Sequence, residues 1–323
     1  METFTDRLQK AMRVKESVLC VGFDPQLKFI PPHLIKEAIK FKGRTWEALE
    51  YCFLKFNLGI MDAVEPYAAV IKPQAAFYEA SYQLWHALEQ TINWAEKCEL
   101  LVIKDAKRLD GGDTADAYAQ THIGMVPFFD GKMIKSPLRT DAVTIGGSIG
   151  EDCISRFVKE MKAHGTGGFV VDKTSFKPNS VIEQLVTENG LSVWEELAYY
   201  VSMWGEGTEG ENGYRNLGVV MGATYPEDAL RMRKILPNAV MLVPGYSLPD
   251  SIGQGGTADE AVVSFNDDGF GAVVNASRAI IAAWQKGPFA CDPKDFAKAA
   301  GQAAKAARDD LNEALKRAGK YPF

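Results

Sequence analysis

The 323-residue sequence predicts an α/β protein built as a TIM (β/α)8 barrel. Eight short segments have the nearly continuous apolar composition of parallel strands buried on both faces. A stretch with a helix-like pattern follows each of these strands. Eight is also the number of parallel strands that closes such a barrel. The predicted strands are residues 17–24, 68–74, 100–107, 142–147, 167–175, 217–224, 239–246 and 271–278.

An open doubly wound sheet is the structural alternative, but no G-x-G-x-x-G fingerprint follows the first predicted strand. We therefore expect residues 1–323 to form a single barrel domain. Its Ala- and charge-rich end, at about 292–319, has the spacing of a C-terminal helical tail.

Composition excludes several classes of function. The net charge of −6 argues against a nucleic-acid partner, and no apolar run is long enough for a membrane helix. The five cysteines are scattered and form no C-x-x-C pair, which indicates a reduced, cytoplasmic protein. The four histidines are equally dispersed, so we expect no metal site.

Polar residues recur at the carboxyl ends of the predicted strands, where TIM barrels build their active sites. The third strand carries most of them. Asp105 and Lys107 are two residues apart, so both should face the barrel interior, and Asp110 follows in the loop. Nearby carboxylates favour the ammonium form of a lysine. Burying such charges is costly, so their presence favours a site for a ligand that is anionic or becomes anionic. The alternative interpretation is a solvent-exposed loop that carries surface charges.

A second signal follows the seventh and eighth strands, which often bind phosphate in TIM barrels. The glycine-rich segment around Gln254 offers free backbone N–H groups. Arg278 follows the last strand, and an arginine guanidinium can bind phosphate through two parallel hydrogen bonds.

Together these motifs resemble orotidine 5′-monophosphate decarboxylases, particularly their larger bacterial branch. The most specific element is D-x-K-x-x-D-x-x-x-T, matched by Asp105, Lys107, Asp110 and Thr114. The segments GFDP, IKPQAAFYE, DAVTI, KTS, VPGY and GQGG follow the family order. The resemblance covers most of the chain.

The resemblance implies a homodimer that converts orotidine 5′-monophosphate into UMP and CO2 without a cofactor. Lys72, Asp105 and Lys107 would form an alternating charged array, completed by Asp110 from the partner chain. Thr114 would also cross to the partner's site. Lys107 would stabilise the carbanion at C6 of the pyrimidine and then protonate it.

The resemblance also assigns the substrate contacts. Asp24 would contact the ribose, Ser175 would read the pyrimidine ring, and Gln254 and Arg278 would hold the 5′-phosphate. Binding energy from this remote group can order the site.

Three alternatives remain open from the sequence. One is a Mg²⁺-dependent enzyme that resembles hexulose-phosphate synthase or ketogulonate-phosphate decarboxylase, although Asp105 alone is a poor metal site. Another is a catalytically silent barrel that binds a nucleotide. The third is a class I aldolase, for which a lysine among acids is unsuited because a Schiff-base lysine must be neutral.

Overall fold

A closed barrel of parallel strands forms the centre of the computed structural model, which describes residues 1–176, 182–253 and 255–323. Each strand pairs with its neighbours in chain order, and the last pairs with the first. The predicted TIM barrel is confirmed. The barrel strands are β1 (Leu19–Phe23), β2 (Val70–Pro73), β3 (Leu101–Arg108), β6 (Ala142–Gly146), β7 (Gly167–Lys173), β8 (Arg215–Met221), β9 (Ala239–Pro244) and β10 (Ala272–Ala276).

Among the described residues, two further strands lie outside the barrel, and they were not predicted. β4 (Val126–Pro127) and β5 (Met133–Ile134) form a short antiparallel hairpin before β6. Strands of two residues are too short to produce a periodic pattern in the sequence.

Helices cover the outside of the barrel. They are needed there because the outward-facing side chains of the strands are apolar and must be shielded from water. Ser and Thr residues cap several of these helices, as Thr3 and Ser81 do. The helices are α1 (Phe4–Lys15), α2 (Pro32–Lys42), α3 (Trp46–Val64), α4 (Tyr82–Lys97), α5 (Gly112–His122), α6 (Glu151–His164), α7 (Val193–Trp204), α8 (Pro226–Ile235), α9 (Ala258–Val262), α10 (Arg278–Ile281) and α11 (Phe296–Arg317).

The two terminal helices have different positions. α1 lies at the amino ends of β7 and β8, where Phe4 packs edge-on against Phe169 and Thr5 donates its hydroxyl to the Tyr214 carbonyl at 3.0 Å. α11 packs along α3, with Phe296 stacked on Phe56 at 5.5 Å between ring centroids. α11 also packs on α9 and α10, and its Asp310 accepts a hydrogen bond from the Tyr246 hydroxyl at 2.9 Å. No helix in the described parts of the chain is both long enough and apolar enough to cross a membrane.

Candidate active site

A cavity of about 520 Å³ opens at the carboxyl ends of the barrel strands. Its walls come from β2, β3, β7, β8, β9 and β10, from Asp24 just after β1 and from loops that follow these strands. Six of the predicted site residues line it: Asp24, Lys72, Asp105, Lys107, Ser175 and Arg278.

A carboxylate in the cavity wall, that of Asp105, receives four hydrogen bonds. One oxygen of Asp105 accepts from the Lys72 ammonium at 2.8 Å and from the Gln74 amide at 3.1 Å. The other accepts from the Lys107 ammonium and from the Thr144 hydroxyl, the latter at 2.9 Å. Both oxygens are thus fully used, and the carboxylate joins two lysines.

These contacts determine the charge states of the two buried groups, Asp105 and Lys72. Burial alone would raise the pKa of Asp105, but the two lysines outweigh it and the pKa lies below its usual value. Burial alone would lower the pKa of Lys72, and the carboxylates of Asp105 and Asp24 outweigh it in turn, so the pKa is raised. Both groups are therefore ionised at neutral pH, although both are buried.

Lys107 reaches Asp105 from an irregular backbone. Its φ is +47°, in the left-handed region that residues with a side chain rarely adopt. The pairing of β3 with β6 also shifts between Lys104 and Arg108. Bulges of this kind re-aim side chains next to active sites. The Lys107 side chain is 50% exposed and lines the cavity.

Asp24 lies beside the array with one carboxylate oxygen buried and without a hydrogen-bond partner among the described residues. Burial raises its pKa, and the nearby Lys72 partly offsets this. Close packing of β1 against the end of β10 shapes this wall: a Cβ at Gly22 would lie 1.8 Å from the Ser277 hydroxyl. An unsatisfied buried acceptor at a cavity wall is suited to a hydroxyl donor from a ligand.

Ser175 lies on the opposite wall, after β7. Its carbonyl accepts from the Thr224 hydroxyl at 3.1 Å, and the absence of a side chain at Gly222 lets its backbone approach closely. Glu183 supports the same segment by accepting from the Thr174 backbone N–H at 3.2 Å and pairing with the buried Lys173.

The predicted phosphate site is partly described. Arg278 is exposed at the cavity edge, and no carboxylate of the described residues forms an ion pair with it. Gln254 lies outside the described residues. Its neighbours Ile252 and Gly253 line the cavity, so the loop after β9 borders the site.

Asp110 and Thr114 do not line the cavity of their own chain. Asp110 is exposed in the loop after β3, where it accepts from the Gly111 N–H at 2.8 Å. Thr114 is exposed in the first turn of α5. The structure thus separates these two motif residues from the charged array.

Several polar residues that line the cavity or lie directly behind its wall were not predicted from the sequence. Gln74 directly follows β2, so the strand-end rule could have found it. Thr144 and Asn275 are polar residues inside apolar strands, which is itself a signal, although their contacts depend on neighbouring strands. Within the described part of the chain, no three His, Cys, Asp or Glu side chains are arranged to hold a metal ion.

Known proteins match this chain over most of its length. The family model for orotidine 5′-phosphate decarboxylase / HUMPS matches residues 17–287. Orotidine 5′-phosphate decarboxylases of Caldicellulosiruptor saccharolyticus and Rhodopirellula baltica are 34% and 35% identical, over 98% of this chain and 100% of theirs. The solved OMP decarboxylase of Leishmania donovani has a TM-score of 0.68 at 27% identity, covering 97% of this chain and 98% of its own. The resemblance found in the sequence is confirmed, and the chain belongs to the orotidine 5′-phosphate decarboxylase / HUMPS family.

Proposed function

We propose that Lys107, held by Asp105, is the acid with which this enzyme decarboxylates orotidine 5′-monophosphate to UMP and CO2. The reaction is that of the family and of relatives that match the chain over nearly its full length. The observation that supports the residue assignment is the array in which Asp105 bridges two lysines at the cavity wall.

The chemical difficulty is a carbanion. When the bond from C6 to the carboxylate breaks, CO2 leaves and the electron pair stays at C6, in the plane of the ring. The ammonium of Lys107 stabilises this charge because it is already in place and needs no reorganisation. Lys107 then donates a proton to C6 and recovers one from solvent. The proposal uses no metal and no cofactor.

Asp105 has two roles in this proposal. It holds Lys107 in position, and it places a negative charge beside the substrate carboxylate, a repulsion that ends when CO2 departs. Lys72 keeps Asp105 ionised, as the lowered pKa of that carboxyl indicates.

The remaining cavity residues would bind the rest of the nucleotide. The unpartnered oxygen of Asp24 is suited to a ribose hydroxyl. Ser175 would contact the pyrimidine ring from the opposite wall, and the exposed Arg278 would hold the 5′-phosphate together with Gln254. The contacts to the phosphate would lie far from C6, and they would contribute to catalysis because their binding energy orders the site.

A homodimer completes the proposal. Asp110 and Thr114 belong to the motif but lie outside their own cavity, which supports a position in the partner's site. We take residues 1–323 as one catalytic domain. A cytoplasmic location agrees with five cysteines that all remain free.

The decisive experiment follows the absorbance change as orotidine 5′-monophosphate becomes UMP, with EDTA present. We expect turnover by the wild type, and a kcat at least about 10⁴-fold lower for Lys107→Ala, because both the electrostatic and the acid contribution are lost. UMP binding should largely survive in the variant. A control is Lys10→Ala, at an exposed position in α1.

Other outcomes would point to the alternatives. Tight UMP binding without turnover would indicate a nucleotide-binding barrel. Activity on sugar phosphates that requires Mg²⁺ would indicate the hexulose-phosphate synthase type. Borohydride trapping of a carbonyl substrate on the protein would indicate an aldolase.

A further inference from the structure

We propose that Thr144 is a positioning residue for the decarboxylation. Its hydroxyl holds the bulged backbone at Lys107 and the carboxylate of Asp105 in one geometry. The inference rests on the function proposed above for Lys107. Thr144 lies in the middle of β6, is buried, and does not line the cavity, so it acts only through its two neighbours on β3.

The Thr144 hydroxyl makes two hydrogen bonds to β3. It accepts from the Lys107 backbone N–H at 2.9 Å and donates to the Asp105 carboxylate at 2.9 Å. One oxygen therefore connects the backbone of the proposed acid with the side chain that aims it. A hydroxyl is well suited here, because it donates and accepts at once.

The bulge explains why this contact matters. Where the pairing of β3 with β6 shifts, the Lys107 N–H takes a side-chain oxygen as its acceptor. The left-handed φ of Lys107 persists only if its surroundings hold it. Without the hydroxyl, the Lys107 N–H would lose its acceptor inside the protein, and the strand would be free to relax toward the regular register. The Lys107 ammonium would then leave its position at the cavity.

The hydroxyl also supports Asp105 from one side only. The Asp105 oxygen that Thr144 contacts is the one that binds Lys107, whereas Lys72 and Gln74 contact the other oxygen. Loss of the hydroxyl would free the carboxylate to rotate about its bond toward Lys72. Substrate binding would change little, because the other cavity walls stay in place.

The test compares Thr144→Val with Thr144→Ser and with Thr166→Val. Valine keeps the shape but removes the hydroxyl, and serine restores it. Thr166 is an equally buried threonine just before β7 whose hydroxyl donates to the Ile123 carbonyl at 3.1 Å, away from the cavity. The same preparations are measured for kcat, for KM, for the dissociation constant of UMP and for the thermal midpoint.

We expect Thr144→Val to lower kcat by about 100-fold, the usual scale for a misplaced catalytic group, with KM and UMP affinity changed by less than about threefold. Thr144→Ser should recover kcat to within about fivefold of the wild type. Thr166→Val should lose a similar amount of thermal stability and keep its kcat.

A Thr144→Val protein that folds and keeps kcat within about twofold would overturn the inference, as would a kcat loss that Thr166→Val shares. If valine prevents folding, Thr144→Ala takes its place against the same serine variant. Failure of the proposed function looks different. In that case the wild type would not turn over orotidine 5′-monophosphate, or Lys107→Ala would match it.

Discussion

Two buried aspartates near the ends of barrel strands show opposite behaviour. Asp105, on the cavity side, accepts four hydrogen bonds, two of them from lysines, and its pKa is lowered. Asp172, in the wall formed by β7, has no hydrogen-bond partner for either oxygen among the described residues. Burial, followed by the nearby Glu183, raises its pKa well above the usual value. Asp105 and Asp172 are both buried, and their pKa values differ in direction because, of the two and among the described residues, only Asp105 accepts hydrogen bonds, including those from two lysines.

Two buried lysines repeat the comparison. Lys72 lies against carboxylates in the cavity, and its pKa is raised. Lys104 points away from the cavity and donates to the Leu138 carbonyl. Burial, and then the neighbouring Arg108, holds the pKa of Lys104 well below its usual value. Pairing thus favours the charged forms of Asp105 and Lys72, whereas burial without an ion pair among the described residues favours the neutral forms of Asp172 and Lys104.

The largest expected effect comes from removing the charge of Asp105, which pairs with two lysines in the cavity. Asp105→Asn leaves two lysines without their shared counter-charge, and we expect about 3–5 kcal/mol of lost stability together with a kcat lower by about 100-fold or more. The matched variant Asp172→Asn should keep kcat within about twofold and should not lower the free energy of unfolding. Urea unfolding and the absorbance assay measure both. Equal losses in the two variants would contradict the comparison.

The next effect concerns a cavity charge whose partner would be the ligand. Arg278→Ala should weaken UMP binding by about 10–100-fold, the value of a hydrogen-bonded charge, and leave uridine binding unchanged. Arg44→Ala, at an exposed position between α2 and α3, is the control. Titration calorimetry with UMP and uridine measures the difference. Equal loss for the two ligands would remove the phosphate assignment.

A third effect depends on pH. Because the folded pKa of Asp172 is raised above its usual 3.8, the unfolded chain loses this proton first as pH rises. As pH rises above 3.8, Asp172 therefore lowers the free energy of unfolding, with a slope of at most about 1.4 kcal/mol per pH unit. The stability of Asp172→Asn relative to the wild type should therefore increase in urea unfolding as pH rises from the usual carboxyl value of 3.8 towards neutral pH. A constant difference across this range would show that Asp172 is ionised in the fold.

The smallest effect is expected at Lys104. Its folded pKa is lowered, so below the usual value of 10.5 the unfolded chain binds the extra proton. Stability contributed by this group is therefore lost as pH falls below that value. Lys104→Met should raise the free energy of unfolding by about 1 kcal/mol at about pH 7, with an unchanged kcat. A destabilised Lys104→Met protein would mean that the Leu138 hydrogen bond outweighs the cost of burying the lysine.

Most of the fold followed from sequence patterns, because a barrel strand buried on both faces must be apolar along its length. All eight predicted strands overlap the observed ones, and the expected terminal helix at about 292–319 contains α11. The predicted positions of Asp24, Lys72, Asp105, Lys107, Ser175 and Arg278 at the cavity also followed from one rule, since all lie in the carboxyl half of a strand or just after it. The β4–β5 hairpin did not, because its strands are too short to show a period.

By itself, the sequence determined the barrel, its active face and the residue types that meet there, because these depend on periodicity and on strand order. Only the tertiary structure decided how the charges are held. Strand alternation predicts an inward Lys107, but the actual position depends on a left-handed residue, a register shift and a hydroxyl from the neighbouring strand. Whether a buried Asp or Lys keeps its charge was likewise decided in three dimensions. A pKa depends on which donors and charges lie within a few ångströms, and those come from distant parts of the chain.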